Sequence, residues 1–418
     1  MSVLHDLVDR LRFLRPPLWR RYPIRAGRPS YESSGQPRTV LVTGATGFIG
    51  RHLCRHFIER GDPIIVLTRK RGLAWHLYGP HAQIVTSLET IDAAERIDVV
   101  VNLAGAPILA RRWTAARRAE LLESRLRVTK SVVDLIARLQ SKPAVLVSAS
   151  AIGYYGVRGD EEITEAVRGQ PIFQSHLCQA WELAAQAAEK FGVRVCRLRF
   201  GLVFGADGGA FPGLARPARS ALRVVLGSGR QWVSWIHIDD LLGLIAFCID
   251  HDDMRGGINA VAPTPVRQQE LAARIASRYG RALTLRIPER LMRVAAGEMA
   301  QLLVDGQRVV PTKAQCHGYA FRYAALDSAL DQLLSNERAS AAPLEIMYDT
   351  QCPVCDMEMA RYRRDARRAG LQWRFDDVAD RPELMLRYRI DTQTARKRVY
   401  VLNDDGRMIS GIEAIALI

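Results

Sequence analysis

The sequence predicts an α/β protein: a doubly wound parallel sheet, a small and mostly helical cap, and a separate C-terminal strand–helix unit. Three observations carry that prediction. Short β-branched runs alternate with longer helical patterns from Thr39 onward, and the strands are apolar almost throughout, as strands covered on both faces must be. The first strand leads through a glycine turn, Gly44-Ala45-Thr46-Gly47-Phe48-Ile49-Gly50, into an amphipathic helix. Near the C-terminus a new strand at 344–348 precedes Cys352-Pro353-Val354-Cys355 and a further amphipathic helix.

The elements follow in order. Residues 1–37 read as a basic arm or linker, with Pro16, Pro17, Pro23 and Pro29 followed by the polar run 33–37. Strands are expected at 39–43, 64–68, 84–87, 99–103, 144–148 and 193–200, and helices at 48–60, 114–140 and 175–191. They fill a sheet domain over 38–255. Residues 256–335, punctuated by Pro263, Pro265, Pro288 and Pro311, are expected to form the cap. A polar, alanine-rich linker at 336–343 then separates the last domain, 344–418.

Composition excludes several classes. With 418 residues, 48% hydrophobic and 25% charged, the chain can bury full cores and is not disordered over most of its length. Its longest clean apolar run, 241–249, is bracketed by Asp240 and Asp250, well short of the roughly 18–20 residues of a membrane span. Charges interrupt every apolar stretch of the N-terminus, so no signal-peptide core is read and a cytoplasmic location is expected. The net charge is +15, but arginines spread along the whole chain read as a solvated surface and not as a nucleic-acid stripe. The N-terminal arm is denser, and suits an acidic partner or a membrane surface. Of seven cysteines, Cys54, Cys178, Cys196, Cys248 and Cys316 stand singly and read as small buried hydrophobes.

The glycine turn carries chemistry. Gly44 permits the tight turn, Gly47 lets the backbone approach a pyrophosphate, and Gly50 lets the helix pack close on the strand. Thr46, Phe48 and Ile49 complete the loop, and the helix N-terminus offers oriented N–H donors to an anion. An ordinary strand–helix turn is the competing reading. The second strand ends in Thr68-Arg69-Lys70-Arg71, where an enzyme preferring NAD carries an acid for the ribose hydroxyls. Cations there suit the 2′-phosphate of NADP(H), against the plainer reading of a basic surface loop. Leu103 and Ala104, at the end of the fourth strand, would add backbone under the cofactor.

The motifs TGATGFIG, VVNLAGAPI, RRWT followed by ESR, SASAIGYYG, GADGGAF, GSGRQWVSWIHIDD and GQRVVP together resemble the atypical epimerase family of the extended short-chain dehydrogenase/reductases, over about residues 39–333. The resemblance implies a Rossmann-type domain that binds NADP(H). It implies cofactor contacts from Thr68, Arg69, Leu103, Ala104, Glu120, Arg125 and Val203. Two functions stay open: an oxidoreductase or epimerase acting on an unidentified small molecule, or a non-catalytic NADP(H)-binding regulator linked to cell division.

Standard members of that superfamily pass a proton through a tyrosine, with a lysine one helical turn on as YxxxK. None of the twelve tyrosines here has a lysine four residues later, and Leu177 and Trp181 fall near the expected places. What remains is Ser148, Ser150, Tyr154 and Tyr155 in SASAIGYYG. A strand-end serine is either part of a site or a hydroxyl that caps backbone. Tyr154-x-x-x-Arg158 repeats the spacing, but Gly153 and Gly156 mark a loop. His237, Asp239 and Asp240 read as a helix start that orients the cap.

CxxC at a helix start is the thioredoxin arrangement, in which the helix N-terminus favours the first thiolate. Residues 344–418 resemble the DCC family of thiol–disulfide oxidoreductase-like proteins, and Asp349 fits its motif. Thr350 stands where that family has glycine, and the chain ends at Ile418, short of the final helix expected. Cys352 would attack and Cys355 resolve. Half a zinc site or plain structural cysteines are the alternatives.

Overall fold

The computed structural model describes residues 35–340, 345–368, 373–387, 390–391, 399–402 and 408–410. All but the last three residues of the N-terminal arm lie outside these ranges. The described residues fall into two compact units, one of residues 35–74 and 81–333, the other of Trp75–Pro80 and the residues from Leu334 onward.

The larger unit is built on a seven-stranded sheet: β1 (Val40–Thr43), β2 (Ile64–Leu67), β3 (Ala82–Val85), β4 (Val99–Asn102), β5 (Val145–Ala151), β6 (Arg194–Phe200) and β7 (Gly256–Ala260). Their order is β3-β2-β1-β4-β5-β6-β7 and every pairing is parallel. Helices α1 (Phe48–Arg60), α2 (Ala115–Arg138), α3 (Phe173–Gln186) and α4 (Ile238–Asp250) follow β1, β4, β5 and the 235–237 strand. Parallel strands need such covering crossovers, which explains why VLVT, IIVL and VVVN contain no polar alternation. Leu41, Ile65, Val100, Leu146 and Val195 form one face, packed by Val132, Leu135 and Ile136 of α2. The chain winds outward from β1 to β3, then returns to β4 on the opposite side of β1. This reversal opens a crevice at the carboxyl ends of β1 and β4, where doubly wound sheets bind ligands.

Local pattern and tertiary pairing diverge in three places. The strand expected at 144–148 runs to Ala151, so Ser150 lies within it. The sheet's last strand, at 256–260, lies beyond the boundary expected at 255, because Gly256–Ala260 pairs along Cys196–Phe200. The cap is not all helix: Leu283–Ile287 pairs in parallel with Leu222–Leu226. Two short segments so far apart in the chain leave no local signal of their pairing. The helix Leu326–Ser340 continues through residues read as linker.

The cap is fastened at the start of α4. The ring of His237 caps that helix: Nδ1 accepts the Asp239 N–H at 3.1 Å, and Nε2 faces the Gln332 side-chain oxygen at 2.8 Å. Burial drives its pKa down to about 3, so the ring is neutral and the proton sits on Nε2. The Asp240 carboxylate accepts the backbone N–H groups of Arg322 and Tyr323 at 2.8 and 2.9 Å. Asp239 is less well served. Its Oδ2 is buried without a hydrogen-bond partner among the described residues, and burial, then the neighbouring Asp240, pushes its pKa to about 7.

In the smaller unit the strands run Arg374–Asp377, Glu345–Tyr348, Tyr400–Leu402, Met408–Ser410. The first two are parallel and joined through α5 (Pro353–Arg368); the other pairings are antiparallel. Ile346, Tyr348, Met359 and Val401 form its core, with Cys355 packed against them.

Asp239 yields a signed prediction. A carboxyl neutral in the fold and ionised when unfolded costs stability as pH rises from about 4, and the cost levels off above about 7. Asp239→Asn should therefore raise the melting temperature, more at pH 8 than at pH 5. Thermal unfolding of both proteins at the two pH values checks this; an equal shift would refute it.

Candidate cofactor site

The crevice starts at Gly44, which follows β1 directly and has φ +69°. A Cβ there would lie 2.8 Å from the Leu103 carbonyl carbon and 2.9 Å from the Ala104 nitrogen, so only glycine lets the turn press against the end of β4. A Cβ on Gly50 would lie 2.7 Å from Ala45 Cα, which fixes the close approach of α1. Gly47 is exposed and forms the N-cap of α1, with no side-chain hydrogen bond and no acid in the first turn. Helices α2 and α4 are capped by Thr114 and His237, whereas α3, like α1, has no side-chain cap. The α1 terminus thus leaves its N–H groups for an external anion. Thr46, Phe48 and Ile49 are half-buried around it. The Phe48 ring lies under the Leu202–Gly205 and Gly208–Gly209 strands, where a Cβ on Gly209 would come within 2.9 Å of it. That packing brings Val203 beside the loop. His52 and Arg51 on α1 hold Asp207 of the same turn at 3.0 and 2.8 Å. Burial opposes ionisation of Asp207, yet these two partners keep its carboxyl below the usual range.

At the end of β2, Thr68 is buried and its hydroxyl accepts the Lys70 N–H at 3.0 Å, which leaves Arg69 exposed. No carboxylate pairs with Arg69 among the described residues.

On the far side of the crevice, Arg125 of α2 is buried. It donates to the Leu121 and Ala106 carbonyls at 2.9 and 3.1 Å, and its guanidinium lies 5.0 Å from the Trp181 ring centroid. Among the described residues it too has no carboxylate partner. Glu120 is exposed, paired with Arg117 at 2.7 Å, and that hydrogen bond holds its carboxyl below the ordinary range. Arg117 in turn donates to the Pro107 carbonyl. Arg125 and the Glu120–Arg117 pair therefore both fasten the segment that follows β4.

Beneath the crevice lies a buried polar chain. Thr43 donates to the Asn102 side-chain oxygen at 2.6 Å and accepts the Ala104 N–H at 3.2 Å. The Asn102 amide reaches Thr129 at 2.9 Å and Ser148 at 3.4 Å, and the Trp181 indole N–H also donates to Thr129, at 3.1 Å. Leu177, one turn earlier on α3, packs with Trp113, Leu121, Phe173, Met299 and Leu302. So Leu177 and Trp181, the residues expected near the proton-passing pair, sit in an apolar cluster and in an indole hydrogen bond.

A second buried chain runs from Ser150. Its hydroxyl donates to Glu182 at 2.8 Å; Glu182 is doubly bonded to Arg199 at 2.8 and 2.9 Å, and Arg199 donates to the Tyr155 hydroxyl at 2.8 Å. Tyr155 donates onward to Asn259, and burial pushes its pKa to about 12, so it stays protonated. Ser148 and Ser150 are both buried. Tyr154 is half-buried, its ring centroid 3.5 Å from the Arg199 guanidinium carbon, and its hydroxyl has no partner among the described residues. Sequence reading missed Glu182, Arg199, Asn102 and Thr129. One signal was available: Arg199 is a charge within a strand expected to be buried, and buried charges demand partners.

In the smaller unit Cys352 precedes Pro353 at the first turn of α5, and its carbonyl accepts the Asp356 N–H at 2.9 Å. Burial, then the neighbouring Cys352 and Asp349, pushes the Cys355 thiol to about 11. Thr350 is anchored by its N–H to Asp377 at 3.0 Å. No group of side chains among the described residues could hold a metal.

Comparison with known proteins agrees with this geometry. Residues 40–261 match the NAD dependent epimerase/dehydratase family, 287–333 a domain of unknown function (DUF1731), and 346–418 the DCC1-like thiol-disulfide oxidoreductases. An Arabidopsis thaliana protein, the chloroplastic epimerase family protein SDR39U1 homolog, is 37% identical over 302 residues, 71% of this chain and 86% of its own. Epimerase family protein YfhF of Bacillus subtilis is 34% identical over 304 residues, covering 72% of this chain and 99% of its own. The crystal structure of human epimerase family protein SDR39U1 with NADPH matches at TM-score 0.64 and 31% identity, over 71% of this chain and 99% of that one. The chain therefore belongs to the NAD dependent epimerase/dehydratase family, in its atypical epimerase branch, and carries a DCC1-like thiol-disulfide oxidoreductase domain at its C-terminus.

Proposed function

We propose that this chain is an NADP(H)-dependent oxidoreductase that acts on a small molecule without the YxxxK pair. The observation that carries the reading is the uncapped N-terminus of α1 behind Gly44 and Gly47, at the sheet's switch point. The human relative crystallised with NADPH points the same way. Bound NADP(H) would supply hydride exchange. The chain's residues then do the rest. The turn from Gly44 to Gly50 cradles the pyrophosphate, with Thr46, Phe48 and Ile49 completing the backbone cradle. Thr68 turns Arg69 outward to meet the 2′-phosphate. Leu103 and Ala104 line the crevice from β4, and Val203 from beside Phe48. Arg125, a buried cation without a carboxylate, is compensated by the cofactor's anionic groups, and Glu120 steadies the same segment through Arg117. Ser148 and Ser150, buried and already bonded, position the end of β5. Tyr154, whose hydroxyl is uncommitted, passes the proton.

A second activity rests on a separate observation. Cys355 is held protonated while Cys352 occupies the helix start, the asymmetry a dithiol needs for attack by the first sulfur and resolution by the second. We infer that the C-terminal domain exchanges thiols and disulfides.

Three outcomes check these readings. Arg69→Glu should weaken NADPH binding by about 2–4 kcal/mol while sparing NADH, through a lost charge pair and new repulsion. Equal affinity of the unmutated protein for the two cofactors would contradict the assignment. A panel of aldehydes, ketones and quinones should include an oxidant of bound NADPH, and Tyr154→Phe should slow that oxidation about a hundredfold while retaining NADPH. If no member of the panel is reduced, the catalytic reading fails and a binding function is left. Alkylation of the full-length protein across a pH series should label Cys352 before Cys355. Reversed order, or a pair that forms no disulfide on mild oxidation, would make the cysteines structural.

A further inference from the structure

Four large apolar side chains of the cap are exposed within twelve residues of sequence. Leu283 is 76% exposed, Leu285 49%, Leu291 58% and Val294 75%. Leu283 and Leu285 share one face of the strand Leu283–Ile287, by its two-residue period. Leu291 and Val294, three apart, share one face of the helix Glu289–Ala296, while Met292 on the same helix is buried and anchors it. Pro288 alone separates the strand from the helix. The strand pairs only with Leu222–Leu226, so among the described residues its other edge is open.

The charges on this stretch are predominantly positive. Between 281 and 296 stand Arg281, Arg286, Arg290 and Arg293 against the single acid Glu289. Arg281 and Arg290 are exposed, and no carboxylate pairs with either among the described residues. Arg286, on the opposite strand face from Leu283 and Leu285, donates to the carbonyls of Gly227 and Ser228 at 3.3 and 3.0 Å. Arg293 is balanced by Glu289 and Asp305.

We propose that this face of the cap docks on an anionic phospholipid surface. Leu283, Leu285, Leu291 and Val294 enter the boundary between headgroups and acyl chains, and Arg281 and Arg290 meet the lipid phosphates. Exposed apolar side chains interleaved in sequence with uncompensated arginines are the pattern of interfacial elements that lie on a bilayer without crossing it. No helix among the described residues is long and apolar enough to cross, so the contact is peripheral. Water and headgroups at that depth satisfy the open strand edge. Charge also decides against a second copy as occupant, because a two-fold interface would set these arginines against each other.

The test sediments the full-length protein with large unilamellar vesicles of phosphatidylcholine, alone or mixed with phosphatidylglycerol. Binding to the mixed vesicles should be about tenfold tighter than to the neutral ones and should weaken with salt. Leu291→Ser/Val294→Ser, changed only at exposed positions, should lower it about tenfold while NADPH affinity is retained. Arg281→Glu/Arg290→Glu should abolish the preference for phosphatidylglycerol. No sedimentation with mixed vesicles would overturn the proposal. So would undiminished binding by both double variants, which would move lipid binding to the N-terminal arm. A concentration-dependent dimer lost in Leu291→Ser/Val294→Ser would identify the face as a self-association surface instead.

Discussion

The side-chain amide of Asn102 lies fully buried at the carboxyl end of β4, where β1, β4, β5 and α2 meet. Leaving either half of such a group unpaired costs about 1–3 kcal/mol, so its surroundings are tightly constrained. Thr43 from β1 satisfies the oxygen, and Thr129 from α2 and Ser148 from β5 take the nitrogen. Each partner comes from a different element, so the bonds form only in the native register. Thr43 also accepts the Ala104 N–H, which fixes how the chain leaves β4. The crevice for an anionic ligand is thus shaped from below by one amide and from above by one glycine.

The same chain of bonds explains what α3 presents to the site. Trp181 gives its indole N–H to Thr129, and its ring receives the Arg125 guanidinium. A lysine at this position would place a second cation beside Arg125, in a region where no carboxylate offsets the first. The indole avoids that repulsion and supplies a cation–π face worth about 1–2 kcal/mol when desolvated. Arg125 of α2 thus brings positive charge to this side of the crevice. Leu177, one turn earlier, packs in a cluster with Trp113, Phe173 and, from the cap, Met299 and Leu302.

Glu182 and Arg199 form a buried ion pair in the larger unit. Removing either partner would strand the other in a low-dielectric interior, at a cost of about 3–5 kcal/mol. The pair links β5, α3, β6 and, through Tyr155 and Asn259, the edge strand β7. It holds Tyr154 against Arg199 with its hydroxyl free, so a rigid network presents one adaptable group.

Much of this was legible in the chain. The runs VLVT, IIVL and VVVN are apolar on both faces, which is the signature of a parallel sheet. Gly44, Gly47 and Gly50 stand at the spacing a phosphate-binding turn needs, and Cys352 and Cys355 flank a proline at a helix start. Each of these depends on contacts within a few residues, so local order encodes them. Other features depend on segments that meet only after folding. The pairing of Gly256–Ala260 with β6, the strand pair in the cap, and the bonds from Ser150 to Glu182 and from Asn102 to Thr129 join residues 27 to 61 positions apart. A side chain's burial, and so whether a serine reacts or merely bonds, is a property of what packs over it. The sequence by itself determined the sheet, the turn and the dithiol; only tertiary packing decided which hydroxyls, cations and carboxylates face one another, because those energies exist only where distant elements exclude water together.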